Sequence, residues 1–382
     1  MRQSISADDF RPRIAALFVC VFLVIGIQFP FFPLWLKTRG LDAEAIGIVL
    51  AAPIVMRIIA VPLISRVVDR AGDLRSGLIA AAFGGALGFA LVGAAHGFGP
   101  ILFAVAIASV AAAPIISLSD AYALRGLQEK SAYGPLRLWG SIAFIGANLG
   151  TGLLLGAIAP ENLVWLIVVA FAILGLSTLL LPRVDSAPRA DTDRTTEAGH
   201  LWQSPGFLAI AIAASLIQAS HALYYGFSTV DWTAKGHSSM TIGLLWALGV
   251  VAEIVLFACS GRLRLSPFAL VTLGAVGAVI RWLAMVFDPA LPLLAVVQCF
   301  HGLSFGATHL GAIQFIGRLA GDRKAAAAQG DFATLLAIGN AAATGVSGLL
   351  FGAFGDYGYA VMAAMAALGG ASLALARRIV PN

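Results

Sequence analysis

Three charged side chains stand alone inside long apolar runs of this sequence. Glu253 lies in the run from Gly243 to Cys259, and Arg57 and Arg281 lie in two other runs. A charge in hydrocarbon costs at least about 2.5–3.5 kcal/mol, so such residues usually mark a path for ions or substrates. They indicate proton transfer by the carboxylate and recognition of a solute by the arginines. A structural hydrogen bond to a neighbouring helix is the alternative for Glu253.

The carboxylate shares a helical face with an aromatic residue. Trp246, Gly249 and Glu253 are three and four residues apart, which is the spacing of one helix face. Hydrocarbon favours the neutral form of a carboxyl group, and a carboxyl group that can exchange its proton there suits a proton carrier. We therefore predict that Glu253 carries a proton and that Trp246 contacts the substrate.

Two later runs carry further polar groups. Arg281 should lie at the same depth as His301 in the following run, where Gln298, His301, Phe305 and His309 share one helical arc. Gln298 and His309 are predicted substrate contacts. A structural role inside the protein is the alternative for the histidines.

A further apolar run presents Gln218, His221, Tyr225, Ser228 and Trp232 within a narrow arc. Polar and aromatic groups together suit a ligand that has a ring and a polar head. We predict Gln218, His221 and Tyr225 as substrate contacts and place Trp232 at the membrane interface. Hydrogen bonds between helices are the alternative for the polar members.

Arg57, Gln28 and Asn148 are the substrate-binding candidates in the first half of the chain. Arg57 has no acidic residue in its own run, so its partner must be Glu253, the backbone of another helix or the substrate. Arginine suits bidentate recognition of a carboxylate. Gln28 precedes the segment Phe29–Pro33, whose prolines should distort a helix that lines an outer cavity, and Asn148 lies near the middle of its run.

The composition that must position these residues is that of an integral membrane protein. The chain has 382 residues, of which 60% are hydrophobic and 11% charged, with a mean hydropathy of +0.92, whereas a soluble domain carries about 25% charge. A spanning helix needs about 20 apolar residues. We predict an all-α membrane protein with twelve transmembrane helices, near residues 14–35, 45–65, 76–95, 100–123, 135–157, 162–181, 204–227, 239–260, 267–287, 291–316, 329–352 and 358–376.

The distribution of charge orients the chain and excludes several functions. The net charge is +5, but the basic residues cluster in alternate loops, and only Lys37, Arg39 and Lys235 fall in the others. This asymmetry predicts that both termini are cytoplasmic and that the chain has no nucleic-acid partner. We expect no enzyme activity, no cofactor and no metal, because no phosphate-binding loop, nucleophile cluster or metal-ligand spacing occurs.

The longest polar stretch, residues 182–203, follows six apolar runs and precedes six more. It predicts a cytoplasmic linker between an N-terminal six-helix bundle, residues 1–181, and a C-terminal one, residues 204–382. Charged residues near the cytoplasmic ends of several runs suggest an inner gate, whose members pair in one conformation and separate in another. A static cluster of salt bridges is the alternative. The predicted gate residues are Asp69, Arg70, Asp120, Arg137 and Asp331.

Two groups of six helices, with the segment from Asp69 to Arg75 after the second helix, resemble the major facilitator superfamily. Its loop signature reads roughly G-x-x-x-D-R-x-G-x-R; here Ser65 takes the place of the leading glycine, and Arg75 comes slightly late. More specific segments resemble the phenylpropionate permease branch, which is related to the lactose permease and to nucleoside–proton symporters. These segments are Ser119–Ala121, Tyr133–Ser141, Gln218–Ser228 and Leu245–Glu253.

The resemblance implies proton-coupled uptake of a small organic solute, with an aromatic carboxylate as the namesake substrate. In the lactose permease, a carboxylate on helix 8, an arginine on helix 9 and a histidine on helix 10 take part in coupling and binding. Glu253, Arg281 and His301 resemble that set by helix and residue type, which makes Arg281 and His301 the expected partners of the proton site.

We expect a monomer in the inner membrane of a bacterium, with a small molecule, protons and the lipid bilayer as partners. Transport would proceed by alternating access around a site near the midplane. Three alternatives stay open: a sugar or nucleoside proton symporter, a uniporter or exporter of the same fold, and a receptor-like membrane protein that does not transport.

Overall fold

The computed structural model describes residues 7–184, 204–262 and 265–379, and the regular structure within these ranges is helical throughout. The predicted linker, residues 182–203, lies outside them from residue 185 onward. Residues 1–6 and 380–382 at the two ends also lie outside them.

The described ranges contain fourteen α-helices and one π-helical turn, Gly302–Ala307, which lies between the twelfth and thirteenth helices. The helices are α1 (Ala7–Thr38), α2 (Ala43–Ala71), α3 (Leu74–Ala94), α4 (Phe98–Ala112), α5 (Ile115–Gly126), α6 (Tyr133–Leu154), α7 (Leu163–Leu179), α8 (Pro205–Ala219), α9 (Ala222–Ala234), α10 (Ser239–Ser260), α11 (Pro267–Val286), α12 (Leu291–Cys299), α13 (Thr308–Phe354) and α14 (Gly358–Ile379).

Ten segments of the described chain are long and apolar enough to cross a membrane. They correspond to the predicted runs except in two places. The helix α6, which contains Arg137, is not among the ten, and the last two predicted runs fall within one segment, Ala328–Ala374. The all-helical, multi-pass architecture is confirmed. The count of twelve and the cytoplasmic position of the termini stay predictions.

Contacts along the chain divide it into two compact units. The first comprises Met1–Ala190 and Thr229–Leu244, and the second comprises Asp191–Ser228 and Leu245–Asn382. Within the first unit, α1 packs against α6 and α7, α3 packs against α4 and α7, and α2 packs against α4. Within the second, α13 and α14 each pack against α8 and α11. The two-bundle division predicted from the linker stays a prediction.

The loop between α2 and α3 shows what its signature residues do. Gly72 ends α2 in the left-handed conformation, with φ of 67°, and its N–H bonds to the carbonyls of Asp69 and Val68. Asp73 then caps α3, because its carboxylate accepts hydrogen bonds from the N–H and hydroxyl of Ser76. These hydrogen bonds lower the pKa of Asp73 below its ordinary value. The motif therefore folds a tight turn between two helices.

Three of the candidate spanning segments are interrupted helices. The break between α4 and α5 falls at Ala113 and Pro114, and the break between α8 and α9 falls at Ser220 and His221. The π-helical turn interrupts the third segment between α12 and α13. Discontinuous helices in transporters free backbone groups and often mark binding sites. Two of these breaks lie in the second unit, beside predicted site residues.

Candidate functional site

Arg281 lies at the centre of a polar cluster inside the second unit, and it has no solvent exposure. Its Nη2 donates to Oε1 of Gln298 at 2.8 Å, and its Nη1 donates to Nδ1 of His301 at 3.0 Å. The hydroxyl of Ser304 accepts a longer bond of 3.5 Å from the same Nη1. No described carboxylate forms an ion pair with this guanidinium. A full positive charge is therefore held by neutral acceptors.

Two aromatic rings flank the same guanidinium. Its central carbon lies 4.4 Å from the ring centre of Tyr224 and 4.7 Å from that of Trp282. The negative faces of aromatic rings attract a cation, and more strongly where water is excluded. Trp282 is itself anchored, since its indole N–H donates to the hydroxyl of Ser220 at the break between α8 and α9. The helix break thus positions one ring of the cluster.

The hydrogen bonds fix the tautomer of His301. An arginine can only donate, so Nδ1 of His301 must be the acceptor in its bond with Arg281. The neutral ring then carries its hydrogen on Nε2, and that atom lies 3.9 Å from Oε2 of Glu253. A second proton on Nδ1 would break the bond to Arg281. His301 therefore presents its Nε2–H toward Glu253, and a proton-carrying role for Glu253 stays a prediction.

His221 has the opposite tautomer. Its Nδ1 faces the carbonyls of Ile217 and Gln218 at 3.2 and 3.1 Å, and carbonyls only accept, so Nδ1 carries the hydrogen. Its Nε2 lies 2.9 Å from the hydroxyl of Ser304, which must donate. His221 is buried, and both of its nitrogens are used within the unit. The geometry makes it part of the support for Arg281 through Ser304.

The π-helical turn supplies two of these contacts. It contains Ser304, whose hydroxyl lies between His221 and Arg281, and Phe305, whose carbonyl accepts a bond of 3.3 Å from the Gln218 amide. In a π turn, the hydrogen bond from C=O to N–H spans five residues instead of four, which shifts the register of the side chains that follow. Such turns are frequent at functional sites. The turn therefore connects the break at His221 to the arginine cluster.

Glycines bring α10 close to this turn. A Cβ at Gly302 would lie 2.8 Å from the Ala252 carbonyl oxygen, and one at Gly306 would lie 3.4 Å from Cγ of Glu253. On α10, a Cβ at Gly249 would lie 3.3 Å from the Cβ of His301. At Gly302 a Cβ would lie too close to the Ala252 carbonyl oxygen, so only glycine allows the two backbones to approach there. The close approach brings Glu253, whose side chain is 21% exposed, next to His301.

Aromatic residues extend from the cluster in two directions. Trp246 stacks on Tyr225, with ring centres 5.9 Å apart, and also contacts Tyr224. His301 stacks on Phe305 at 5.2 Å, and Phe305 stacks on His309 at 6.0 Å. The predicted face of Trp246 and Glu253 and the predicted arc from His301 to His309 are thus both found in the second unit. Tyr225 and His309 are partly exposed there.

Several predicted substrate contacts bind protein groups instead. Gln218 and Gln298 are buried, like His221, and their amides bond to Phe305 and Arg281 as described above. Direct contact of these three side chains with a substrate stays a prediction. Trp232 is only 1% exposed. Its predicted place in an interfacial aromatic belt is therefore wrong, because a belt residue must reach the lipid-facing surface.

In the first unit, Arg57 and Gln28 line one cavity of about 170 Å³, whose other walls are mainly apolar. Arg57 is exposed and forms no hydrogen bond or ion pair with any residue that the structure describes. Asn148 lies apart from this cavity; it is buried, and its amide donates to the carbonyl of Phe144 at 2.7 Å. The two arginines identified from the sequence therefore have opposite environments.

Three predicted gate residues of the first unit, Asp69, Asp120 and Arg137, take part in two separate ion pairs. Asp120 accepts a bond of 2.9 Å from the Tyr133 hydroxyl and lies 3.6 Å from Nε of Arg137. Asp69 pairs with Arg125 at 3.0 Å.

The other two predicted gate residues lie elsewhere. Arg70 is exposed at the end of α2, and Asp331 lies on α13 of the second unit. A gating role for any of the five stays a prediction.

Sequence reasoning missed Ser304, Tyr224, Arg125 and Tyr133, although each contacts a predicted residue. Ser304 had a usable signal, because it is a hydroxyl residue between Gly302 and Gly306 and three residues after His301. The others are common residue types in positions that no spacing rule singles out.

Comparison with known proteins agrees with this architecture. Residues 12–359 match the model of the MFS_1 like family. The Probable 3-phenylpropionic acid transporter of Escherichia coli (strain K12) is 32% identical over 375 residues, which cover 94% of this chain and 96% of that protein. The maltose permease of Geobacillus stearothermophilus is 28% identical over 314 residues, or 79% of this chain and 78% of that one.

The crystal structure of the nucleoside transporter NupG superposes with a TM-score of 0.86 at 17% identity, over 96% of this chain and 99% of that chain. This likeness shows the fold. The relatives are membrane transporters and not enzymes. The chain belongs to the MFS_1 like family, and it is a multi-pass membrane transporter of the major facilitator superfamily.

Proposed function

We propose that this transporter takes up a small organic anion, an aromatic carboxylate of the phenylpropionate kind, together with a proton. The observation that carries the proposal is the buried Arg281, which no described carboxylate neutralises by direct contact and which His301 connects to Glu253. A charge inside the membrane must be balanced or it is strongly disfavoured. Ionised Glu253 provides that balance across one imidazole ring.

Coupling follows from this balance. When Glu253 takes up a proton, the positive charge of Arg281 loses its nearest compensation. A substrate carboxylate restores it, so that proton and anion bind better together than either does alone. One proton and one monovalent anion carry no net charge, and the transport cycle should be electroneutral. Transport would then proceed by alternating access.

Arg57 is a second candidate, beside Arg281, for contact with the carboxylate. It is exposed in its unit and unpaired among described residues, whereas every bond of Arg281 that the structure describes goes to an internal group. Guanidinium binds a carboxylate through two parallel hydrogen bonds. Tyr225 offers a partly exposed ring for an aromatic substrate, backed by Trp246. The phenylpropionate assignment of the 32% identical relative supports this substrate class.

A sugar symporter is the second candidate, because a maltose permease is also a relative. A neutral sugar would leave Arg57 without a counter-charge in the loaded state, which favours the anion. We further propose a monomer in the bacterial inner membrane with both termini in the cytoplasm.

Uptake into proteoliposomes tests the proposal. With an inward proton gradient of one pH unit, the wild type should accumulate labelled 3-phenylpropionate about tenfold, because one pH unit is worth about 1.4 kcal/mol per proton. Glu253→Gln should abolish accumulation but preserve exchange of labelled for unlabelled substrate. Glu44→Gln is the matched control, since Glu44 is exposed at the start of α2, and it should accumulate like the wild type.

The same vesicles decide between the candidates. Accumulation that is unchanged in Glu253→Gln would overturn the coupling role. Accumulation of maltose but not of 3-phenylpropionate would overturn the substrate class. An imposed membrane potential that drives uptake as strongly as the pH gradient would refute electroneutral coupling.

A further inference from the structure

A large groove opens at one end of the second unit, away from the Arg281 cluster. It has a volume of about 1100 Å³ and lies between the start of α11, residues 315–319 of α13 and the end of α14. Its walls are mainly apolar and include Leu273, Phe315 and Leu373. Nothing in the proposed transport mechanism uses this groove.

Arg318 is the only charged side chain among the described residues that line it. It is exposed and forms no hydrogen bond or ion pair with any described residue. Ser266, the N-cap of α11, lines the same groove, so the positive end of that helix dipole adds to the field of the arginine. The groove therefore combines a long apolar wall with a positive end.

From this combination we infer that the groove binds one anionic phospholipid, with its phosphate at Arg318 and an acyl chain along the apolar wall. A soluble anion would use only the arginine, and a neutral hydrocarbon only the wall. Basic pockets between transmembrane helices bind anionic headgroups by this combination. Because Arg318 has no counter-charge among the described residues of the groove, the groove favours an anionic lipid over a zwitterionic one.

Native mass spectrometry of the purified full-length protein tests the inference without any transport assay. Phosphatidylglycerol and phosphatidylethanolamine are titrated separately, and bound lipid is counted. The wild type should hold one phosphatidylglycerol more tightly than any phosphatidylethanolamine. Arg318→Gln should weaken phosphatidylglycerol binding about fivefold, as expected for one arginine near a membrane surface, and Arg318→Lys should retain most of the binding.

Two further variants separate the headgroup from the chain. Thr272→Trp places a bulky ring from an exposed position into the groove and should weaken both lipids. Arg66→Gln removes an exposed arginine of α2 that does not line the groove, and it should change nothing. Circular dichroism confirms that each variant is folded before its lipid binding is compared.

Four results would each overturn the inference. These are equal binding of the two lipids, no change in Arg318→Gln, the same loss in Arg66→Gln, and displacement of phosphatidylglycerol by inorganic phosphate at equal concentration. Because none of these measurements involves a substrate or a proton gradient, their failure would leave the proposed transport function unaffected.

Discussion

The tautomer of His301 predicts that a substitution which replaces only Nδ1 and one which replaces only Nε2 will have different effects. In histidine, Nδ1 is bonded to Cγ, which is where asparagine carries its amide oxygen, whereas Nε2 is one bond further out, where glutamine carries its amide. His301→Asn can therefore keep an acceptor for Arg281, and His301→Gln can keep a donor toward Glu253. We expect the two variants to fail in different assays.

The stability difference follows from the bond that each variant loses. In His301→Gln, Nη1 of Arg281 loses its 3.0 Å acceptor inside a buried cluster. Leaving a buried donor unsatisfied costs about 1–3 kcal/mol, and more when the donor is charged. Both variants lose the stacking of the ring on Phe305 at 5.2 Å, so that loss cancels in the comparison. His301→Gln should therefore be about 2–3 kcal/mol less stable than His301→Asn.

Thermal unfolding in detergent and uptake into proteoliposomes give the two readouts. A difference of about 2–3 kcal/mol in the free energy of unfolding corresponds to a melting temperature lower by about 2–4 °C in His301→Gln, because the unfolding entropy of a 382-residue chain is large. Gradient-driven uptake should rank the other way, because His301→Asn lacks the donor that faces Glu253 at 3.9 Å. Equal melting temperatures, or a more stable His301→Gln, would show that Arg281 does not bind Nδ1 and would refute the tautomer argument.

Two smaller predictions concern packing and capping. Gly302→Ala must move α10 and the π-helical turn apart by about 0.6 Å, because the added Cβ would otherwise lie 2.8 Å from the Ala252 carbonyl oxygen instead of about 3.4 Å. We expect this variant to lower proton-driven uptake. The control is Gly146→Ala in α6, which has open space around it and should transport normally. Asp73→Ala should destabilise the protein by about 1 kcal/mol through loss of the α3 cap, and Asp73→Asn by less. The pKa of Asp73 is lower in the folded state than its ordinary value of 3.8, so the ionised cap stabilises the protein fully above pH 3.8. This stabilisation is lost as the pH falls through the pKa of the folded state. Unfolding curves at pH 7 and pH 3 would measure the loss.

Depth along a helix could be predicted from the sequence, because the rise per residue is fixed. That is why Arg281 and His301, on different helices, were expected at one level and are found 3.0 Å apart. The shared face of Trp246 and Glu253 follows from the same regularity. The signature loop was equally predictable, since Gly72 and Asp73 are a helix stop and a helix start in any context.

Contacts that depend on an irregular backbone were not predictable in this way. Ser304, which binds both His221 and Arg281, lies in the π-helical turn, where the regular α-helical spacing used to draw arcs from the sequence does not hold. The break before α9 similarly places Ser220 where the Trp282 indole can bond to it. Periodicity assumes a regular helix, so it fails at the places where the helix is interrupted.

The sequence also treats Arg57 and Arg281 as equivalent, since each is a lone cation in an apolar run, but the cost of a buried charge depends on its neighbours. Arg281 is surrounded by neutral acceptors and aromatic faces that hold its charge without cancelling it, whereas Arg57 lies open beside a cavity. The electrostatic energy of such a charge changes whenever Glu253 gains or loses a proton, because no nearer described charge screens the two groups from each other. An open, unpaired charge binds an anion at the smallest desolvation cost. We therefore propose that the environment of Arg281 suits coupling and that the environment of Arg57 suits contact with the substrate.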